Sequence, residues 1–397
     1  MSKKLLFAPL AVLLLAATAC GSDSKSSGDT AAPAGTTAGA ATTAAPAAGG
    51  AACSAKIGFM GPFTGDAASI GQEQLNWGKL GIDDFNAKNG TTFSVVETDT
   101  QLDPAQATTG AQKLISDTDV VAVLGPAGSQ EVEAIGPAMT TAGLVYVSPS
   151  ATRTSLTVDG KMPTFARVVP NDAAQGPTDA NFISKTLGAK KVLIVDDQTS
   201  YSTGLADSAT ATWKTLGVEV VRESIAQKST DFSSLVAKVT DDVDVVFLPW
   251  QIAANGQQFG TQLVEQGKKA VVVGSDGLDS PKDFSLEGAY VSSFAPDVRA
   301  VPAAADVVAA YQKAHDDTFS TFGPPVYVAA QLIATGIQAT CKDGKPGTRA
   351  DVTTAVKASK LDDTILGGPV ALDPAGDVVG AKFFLFKITG GKHILVS

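Results

Sequence analysis

The stretch FSVVETDTQLDPAQATTGAQKLISDTDVVAVLG, residues 93–125, contains a complete strand–helix–strand unit. It begins and ends with β-branched apolar runs, FSVVET and VVAVLG. Between them, Asp103 supplies an N-cap acceptor and Pro104 suits the first helical turn. The apolar residues that follow at helical spacing are Ala107, Ala111, Leu114 and Ile115. The stretch therefore predicts two buried strands that flank one helix.

The same pattern recurs along the rest of the chain. Further short β-branched runs are KIGFM (56–60), LVYVS (144–148), KVLIVD (191–196), VEVVRE (218–223), VDVVFL (243–248) and AVVVGS (270–275). Helical stretches lie between them. Near-continuous apolar strands that alternate with helices are typical of parallel sheets buried on both faces. The predicted fold class is therefore α/β.

Length and composition indicate a folded protein of two or more domains. The chain has 397 residues, of which 44% are hydrophobic and 18% are charged. Its formal net charge of -10 at pH 7 argues against a basic surface that would bind phosphates. Nucleic acid is therefore not an expected partner.

The N-terminal segment has the features of an export signal. Lys3 and Lys4 precede an apolar run over residues 5–17, and small residues lead into Cys20. Residues 1–20 resemble a bacterial lipoprotein signal, which implies that lipid on Cys20 anchors the protein to the cell membrane outside the cytoplasm. The alternative is an ordinary secretory signal with an incidental cysteine. Residues 21–52, rich in Ala, Gly, Ser, Thr and Pro, predict a disordered tether.

Cys53 and Cys341 are the cysteines that remain after Cys20. In an oxidising exterior such a pair is more often bridged than free, so we expect a disulfide that closes a very long loop. The alternative is two unrelated thiols, because the sequence does not show whether the two residues meet.

The sequence contains no recognisable catalytic or cofactor-binding motif. His315 and His393 are the only histidines, and they lack the spacing of metal ligands. A Walker A loop, a dinucleotide-binding fingerprint and a G-x-S-x-G elbow are also missing from the sequence. We therefore expect a protein that is not an enzyme and uses no metal and no cofactor.

Polar residues cluster where the predicted strands end. VYVSPSATRT (145–154) changes abruptly from apolar to hydroxyl-rich, and the loops after other strands read GPAGSQE, DQTSY, PWQIA and SDGLD. In open α/β sheets, ligands bind outside the carboxyl ends of the strands. Hydroxyls from one half of the chain and an acid from the other half suit a zwitterion, with donors for its carboxylate and an acid for its ammonium.

Several segments carry a more specific combined pattern from about residue 55 to near the C-terminus. In order they are IGFMGPFTGDAASIGQEQLNWGKLGIDDFNAKNG, LDPAQATTGAQKLI, VAVLGPAGSQEVEAIGPAM, VSPSATRTSLT, FARVVPNDAAQGPTDANFI, YSTGLADSA and DFSSLVAKV. Together they resemble the leucine/isoleucine/valine-binding periplasmic proteins of type I ABC importers.

The resemblance implies two Rossmann-like lobes that close on an amino acid like a hinge. The expected crossings between the lobes lie near residues 170–171, 293–294 and 365–366. The first lobe would hold residues 54–171 and 295–365, and the second lobe 172–294 and 366–397. This division would place Cys53 and Cys341 in the same lobe.

The resemblance also implies ligand contacts on the first lobe. Ser129 matches the serine that holds the ligand carboxylate, and Ser150 and Thr152 match an alanine–threonine pair that contacts carboxylate and ammonium. Ser150 stands where the family mainly uses a backbone carbonyl, so its hydroxyl need not touch the ligand. The alternative for all three residues is loop capping, which Ser and Thr hydroxyls often provide.

Across the cleft, Tyr201 matches the aromatic residue that closes over the ligand, and Asp276 matches the acid that pairs with the ammonium. Asp276 is one methylene shorter than the family's usual Glu, which allows a bridging water. The alternatives are a half-surface tyrosine at a helix start and an exposed turn aspartate.

Three further candidate ligand-binding residues depart from the family pattern. Ile70 and Gln251 stand where relatives often place tyrosine, and Trp250 precedes Gln251. Trp250 is either a wall of the side-chain pocket or a core residue. Arg153 either reaches an acidic ligand or points to solvent. The specificity for the ligand side chain therefore stays open.

The sequence predicts a lipid-anchored extracytoplasmic protein that captures a branched-chain or other neutral amino acid by hinge closure and delivers it to an ABC permease. Two alternatives stay open. One is a receptor for an amide, urea-like or aromatic ligand, and the other is a sensory module with a signalling partner.

Replacing Cys20 with alanine is expected to abolish incorporation of labelled palmitate, because the Cys20 side chain is the predicted lipidation site. Metabolic labelling followed by immunoprecipitation measures the incorporation. A Ser22→Ala variant is the control and should label like the wild-type protein. Equal labelling of the wild-type protein and the Cys20→Ala variant would contradict the prediction.

Overall fold

The computed structural model describes residues 51–315 and 319–397. The expected signal at residues 1–20, the lipidated Cys20 and nearly all of the tether at residues 21–52 lie outside these described residues. Within residues 51–315 and 319–397, no helix combines the length and the apolar character that a membrane span requires.

The first lobe of the described chain contains a five-stranded parallel sheet in the order β2-β1-β3-β4-β5. Its strands are β1 Ser54–Gly61, β2 Thr92–Asp99, β3 Val120–Leu124, β4 Val145–Ser148 and β5 Phe165–Arg167. On β4, Val145 and Val147 pack into one core cluster, whereas Tyr146 packs into another. Alternate residues of a strand point to opposite faces, so both faces are buried, as the apolar runs predicted.

Helices cover both faces of this sheet. They are α1 Ala68–Asn89, α2 Pro104–Ser116, α3 Ser129–Thr141, α4 Ser155–Val158, α9 Ala305–Ala314, α10 Gly323–Thr340 and α11 Arg349–Ala358. At the start of α2, the Asp103 carboxylate accepts hydrogen bonds from the N–H groups of Ala105 and Gln106 at 2.9 and 3.2 Å. Gly81 of α1 lies so close to Tyr327 of α10 that a Cβ there would meet its backbone oxygen at 3.0 Å. After the parallel strands of the second lobe, the chain comes back to the first lobe, and α9–α11 complete its helical layers.

In the part of the chain that the structure describes, the second lobe contains a seven-stranded sheet in the order β14-β13-β10-β9-β8-β6-β7. Its strands are β6 Lys191–Asp196, β7 Glu219–Ser224, β8 Val245–Leu248, β9 Val271–Gly274, β10 Tyr290–Ser293, β13 Phe384–Thr389 and β14 Lys392–Leu395. Strands β6–β10 are parallel, and β13 and β14 add an antiparallel edge. Its helices are α5 Asp172–Asn181, α6 Ser200–Leu216, α7 Ser233–Val236 and α8 Ala253–Glu265. The predicted two-lobed α/β fold is confirmed.

The last crossing between the lobes lies later in the chain than the expected residues 365–366. Strands β11 Lys360–Leu361 and β12 Val370–Ala371 pair beside the first lobe, whose core includes Val370. Asp377 then accepts hydrogen bonds from Arg167 Nε and Thr157 Oγ1 of the first lobe at 2.5 and 2.9 Å. Because these bonds hold the segment against β5, the chain crosses to the second lobe between Asp377 and β13.

Cys53 and Cys341 form a disulfide, with their Cα atoms 6.0 Å apart. The bond joins the residue before β1 to the residue after α10, and both elements belong to the first lobe. The two cysteines are separated by 288 positions in the sequence. The structure thus contains the expected pairing, which closes a long loop within one lobe.

Replacing Cys53 and Cys341 together with serine is expected to lower the free energy of unfolding by about 3 kcal/mol, because the cross-link restricts the unfolded chain. Urea unfolding followed by circular dichroism measures the difference. Reductant should lower the stability of the wild-type protein to that of the variant and leave the variant unchanged. Equal stability of the two proteins without reductant would contradict the prediction.

Candidate ligand-binding site

The principal candidate ligand contacts lie at the carboxyl ends of the two sheets. Ser129 is the first residue of α3, and Thr152 lies in the loop after β4. On the second lobe, Tyr201 lies in the first turn of α6, and Asp276 begins a short 3-10 helix after β9. Each of these four residues is at most 3% exposed. They are therefore shielded from bulk water.

The side-chain hydroxyls of Ser129 and Thr152, on the first lobe, can still form hydrogen bonds to a ligand. Ser129 Oγ accepts a hydrogen bond from the backbone N–H of Arg153 at 3.2 Å, which leaves its own hydrogen available. Thr152 Oγ1 is buried and has no hydrogen-bond partner within the described residues. Ser129 also opens α3, whose N-terminal N–H groups and dipole favour negative charge. This edge of the first lobe is therefore suited to a carboxylate.

The Ser150 hydroxyl is occupied by its own lobe. It donates to the backbone oxygen of Ala127 at 3.0 Å and accepts a hydrogen bond from Gln74 Nε2 at 3.0 Å. Ser150 therefore fixes the loop between β4 and α4, in agreement with the expectation that its hydroxyl need not reach a ligand.

Asp276 is held by polar side chains of the second lobe. Its Oδ1 atom lies 2.6 Å from the Tyr201 hydroxyl and accepts a hydrogen bond from Gln175 Nε2 at 2.6 Å. Ser275 Oγ lies 2.7 Å from the same tyrosine hydroxyl. The acid therefore has a fixed orientation within the cleft, and Tyr201 serves as one of its supports.

The two lobes make direct contact over these residues. Gln130 Nε2 of α3 donates to Gln251 Oε1 of the second lobe at 2.8 Å. The Arg153 guanidinium donates to the backbone oxygen of Ser200, at the start of α6. Arg153 thus reaches the opposite lobe and does not extend freely into solvent. These contacts close the cleft at the sequence neighbours of Ser129, Thr152 and Tyr201.

Burial disfavours the charged forms of two acids in the cleft, Asp276 and Asp172. Burial raises the pKa of Asp276 from 3.8 to about 6, although hydrogen bonds from Tyr201 and Gln175 oppose the shift. The backbone N–H of Asp172 donates to the Thr152 oxygen at 2.8 Å, and burial raises the pKa of the Asp172 carboxyl to about 7. A ligand ammonium paired with Asp276 would offset part of this cost.

Comparison with known proteins decides the family. The periplasmic binding protein family matches residues 54–392, which is most of the chain. The chain belongs to this family.

Known relatives support the same assignment. The Leu/Ile/Val-binding protein BraC3 from Rhizobium johnstonii is 29% identical over 350 residues, which cover 85% of this chain and 92% of the relative. The Leu/Ile/Val-binding protein of Escherichia coli is 27% identical over 341 residues, which cover 83% and 90%. The Streptococcus pneumoniae branched-chain amino acid substrate-binding protein LivJ, solved with isoleucine, has a TM-score of 0.77 at 25% identity and covers 86% and 99%. The resemblance seen in the sequence is confirmed.

In this periplasmic binding protein, Trp250 packs in the core of the second lobe. Its indole N–H donates to the backbone oxygen of Val195 at 2.6 Å, and its ring contacts Phe232 and Phe259. This packing favours the core alternative over a pocket wall. Ile70 joins a small apolar cluster where the lobes meet, together with Val169, Phe294, Ala295, Phe322 and Phe383.

Four buried polar residues of the cleft were not predicted from the sequence. Gln74 and Gln130 lie on α1 and α3, and Asp172 and Gln175 lie on α5. The pattern of polar loops after strands does not include these side chains, because they project from helices. Asp172 and Gln175 are three residues apart and share a helix face, which is the signal that could have found them.

Lowering the pH from 8 to 5.5 is expected to stabilise the ligand-free protein. Asp276 has a pKa near 6 when folded and an ordinary value of 3.8, so the folded state binds the proton more tightly. Stability is therefore lost as the pH rises through the folded pKa. Replacing Asp276 with asparagine should raise the unfolding free energy at pH 8 by roughly 3 kcal/mol.

Urea unfolding at pH 5.5 and pH 8 measures both effects. Asp83→Asn, at an exposed position of α1, is the matched control and should leave the stability unchanged. Equal stability of the wild-type protein and Asp276→Asn at pH 8 would show that the buried charge carries no cost.

Proposed function

We propose that this protein is an extracytoplasmic receptor that captures an amino acid by hinge closure and delivers it to an ABC importer. One observation supports this function above the others. Hydroxyls of Ser129 and Thr152 from one lobe, and the Tyr201–Asp276 pair from the other, are all buried beside contacts that join the lobes, such as the bond from the Asp172 N–H to the Thr152 oxygen. The two halves of the site complement the two ends of a zwitterion.

The ligand carboxylate would bind to the first lobe. Ser129 and Thr152 offer hydroxyl hydrogens, and the N-terminal end of α3 favours a negative group. The ligand ammonium would pair with Asp276, which Tyr201 and Gln175 hold in place. Because the partners come from both lobes, the ligand favours the closed form over an open one.

The relatives support an amino acid as the ligand. Proteins from Rhizobium johnstonii and Escherichia coli are named for binding leucine, isoleucine and valine, and the LivJ structure contains isoleucine. In our proposal, the closed form presents a surface to the permease, and lipid on Cys20 keeps the protein at the membrane. Binding and release are sufficient for this role, so no chemical step is required.

Replacing Asp276 with alanine is expected to weaken amino-acid binding by about 3 kcal/mol, because the ligand ammonium would be buried without its counter-charge. A thermal-shift screen of the twenty amino acids identifies the ligand, since a compound that binds only the folded form raises the melting temperature. Calorimetry then compares the affinities of the wild-type protein and the variant.

Asp83→Ala, on the exposed face of α1, is the matched control and should bind like the wild-type protein. Unchanged affinity in Asp276→Ala would remove this acid from the site. A screen in which no amino acid raises the melting temperature would reject the proposed function itself.

A further inference from the structure

Several buried side-chain oxygens near the candidate site have no hydrogen-bond partner. Gln74, Gln130 and Gln175 are each at most 9% exposed, and each uses its amide N–H groups as donors. Among residues 51–315 and 319–397, no hydrogen-bond partner is found for the side-chain oxygen of any of these three glutamines. Gln74 donates to Ser150, Gln175 donates to Asp276, and Gln130 is the second residue of α3. The unpaired oxygens therefore belong to two residues that hydrogen-bond to candidate residues and to one, Gln130, that follows Ser129 in the sequence.

The hydrogen-bond partners fix the orientation of two of these amides. Ser150 Oγ donates its hydrogen to the Ala127 oxygen, so it can only accept from Gln74. The ionised Asp276 carboxylate can only accept from Gln175, which makes the nearer amide atom a nitrogen. In both glutamines, the oxygen is therefore the atom without a partner.

Gln130 belongs to a short chain of amides between the lobes. Gln251 Oε1 accepts from Gln130 Nε2 at 2.8 Å and from Gln227 Nε2 at 3.2 Å. Exchanging the nitrogen and oxygen of Gln130 would place two oxygens face to face. A cavity of about 480 Å³ adjoins this chain, with Gln130, Gln227 and Ser200 in its lining. The cavity reaches Gln130 and Ser200, the sequence neighbours of Ser129 and Tyr201, which do not themselves line it.

Asp172 adds two more acceptors. It is 1% exposed, and neither carboxyl oxygen has a partner in good hydrogen-bonding geometry among the described residues, although the Thr152 hydroxyl lies close enough to lower the pKa of this carboxyl. Its backbone N–H donates to the Thr152 oxygen, which places it beside the candidate site. Burial raises the pKa of this carboxyl to about 7, and a nearby N–H donor would favour its charged form.

We propose that the amino acid bound in this cleft carries nitrogen-bound hydrogens on its side chain, in addition to its α-ammonium group. The inference rests on the proposed function and specifies its ligand. Such a side chain, whether a carboxamide with two N–H groups or an ammonium with three, would supply donors to some of the unpaired oxygens of Gln74, Gln130, Gln175 and Asp172. An apolar side chain would bury these acceptors without partners, which is unfavourable.

Leucine, asparagine and aspartate test this inference, because their side chains have similar size and branching but different hydrogen-bonding groups. Calorimetry on the wild-type protein should show asparagine, glutamine or lysine binding at least tenfold more tightly than leucine. Aspartate should bind more weakly than asparagine, because its second carboxylate replaces donors with acceptors. Glutamine and lysine distinguish a carboxamide from a cationic side chain, and a preference for either supports the inference.

Two outcomes separate this inference from the proposed function. Leucine binding as tightly as asparagine, glutamine and lysine would overturn the inference and leave an amino-acid receptor in place. The absence of binding by any amino acid would overturn both.

Variants identify the acceptors responsible. Gln130→Met and Gln74→Met each remove one side-chain oxygen and keep a side chain of similar length. In each variant, the Kd for leucine divided by the Kd for the preferred ligand should fall several-fold. Gln112→Met, at an exposed position of α2, is the matched control and should preserve the ratio. Melting curves verify that each variant is folded. An unchanged ratio in both cleft variants would overturn the inference.

Discussion

The burial of one carboxyl group, Asp276, is the constraint on which the rest of the site depends. Exclusion of water penalises its negative charge, and the hydrogen bonds from Tyr201 and Gln175 leave its pKa near 6. Such a group is stable as a charge only when an opposite charge joins it. The first lobe brings hydroxyls and a helix N-terminus to the same place. In the proposed function, closure and ligand capture depend on each other, because the partners of the ligand carboxylate and ammonium would come from different lobes.

Much of the architecture follows from local sequence patterns. The central strands are apolar on both faces because helices cover both sides of each sheet, so strands such as β4 and β8 are visible as short β-branched runs, whereas the edge strand β7 has no buried residue. The topology then brings the residues after these strands to one edge, which is where the family resemblance had placed Ser129, Thr152, Tyr201 and Asp276. Cys53 and Cys341 could be paired only on the basis of compartment, since nothing local indicates their proximity.

Other features depend on contacts that are distant in sequence. Gln74 and Gln175 lie within helices, where polar residues are usually exposed, and only the surrounding tertiary structure buries them. Trp250 follows a strand like a pocket residue, but its bond to the Val195 oxygen places it in the core. The last crossing was expected too early because β11 and β12 are two residues each, too short for any periodicity. The Asp377–Arg167 pair that holds this segment spans 210 positions.

The disulfide also determines how mechanical load enters the fold. Residues that precede Cys53 are attached one position before β1, at the point where the chain is covalently joined to the end of α10. A pulling force transmitted through them passes directly into the helical layer of the first lobe. It does not unzip β1 from its neighbours one backbone hydrogen bond at a time. The disulfide therefore ties the residues before β1 to the helical layer of the first lobe as well as to its sheet.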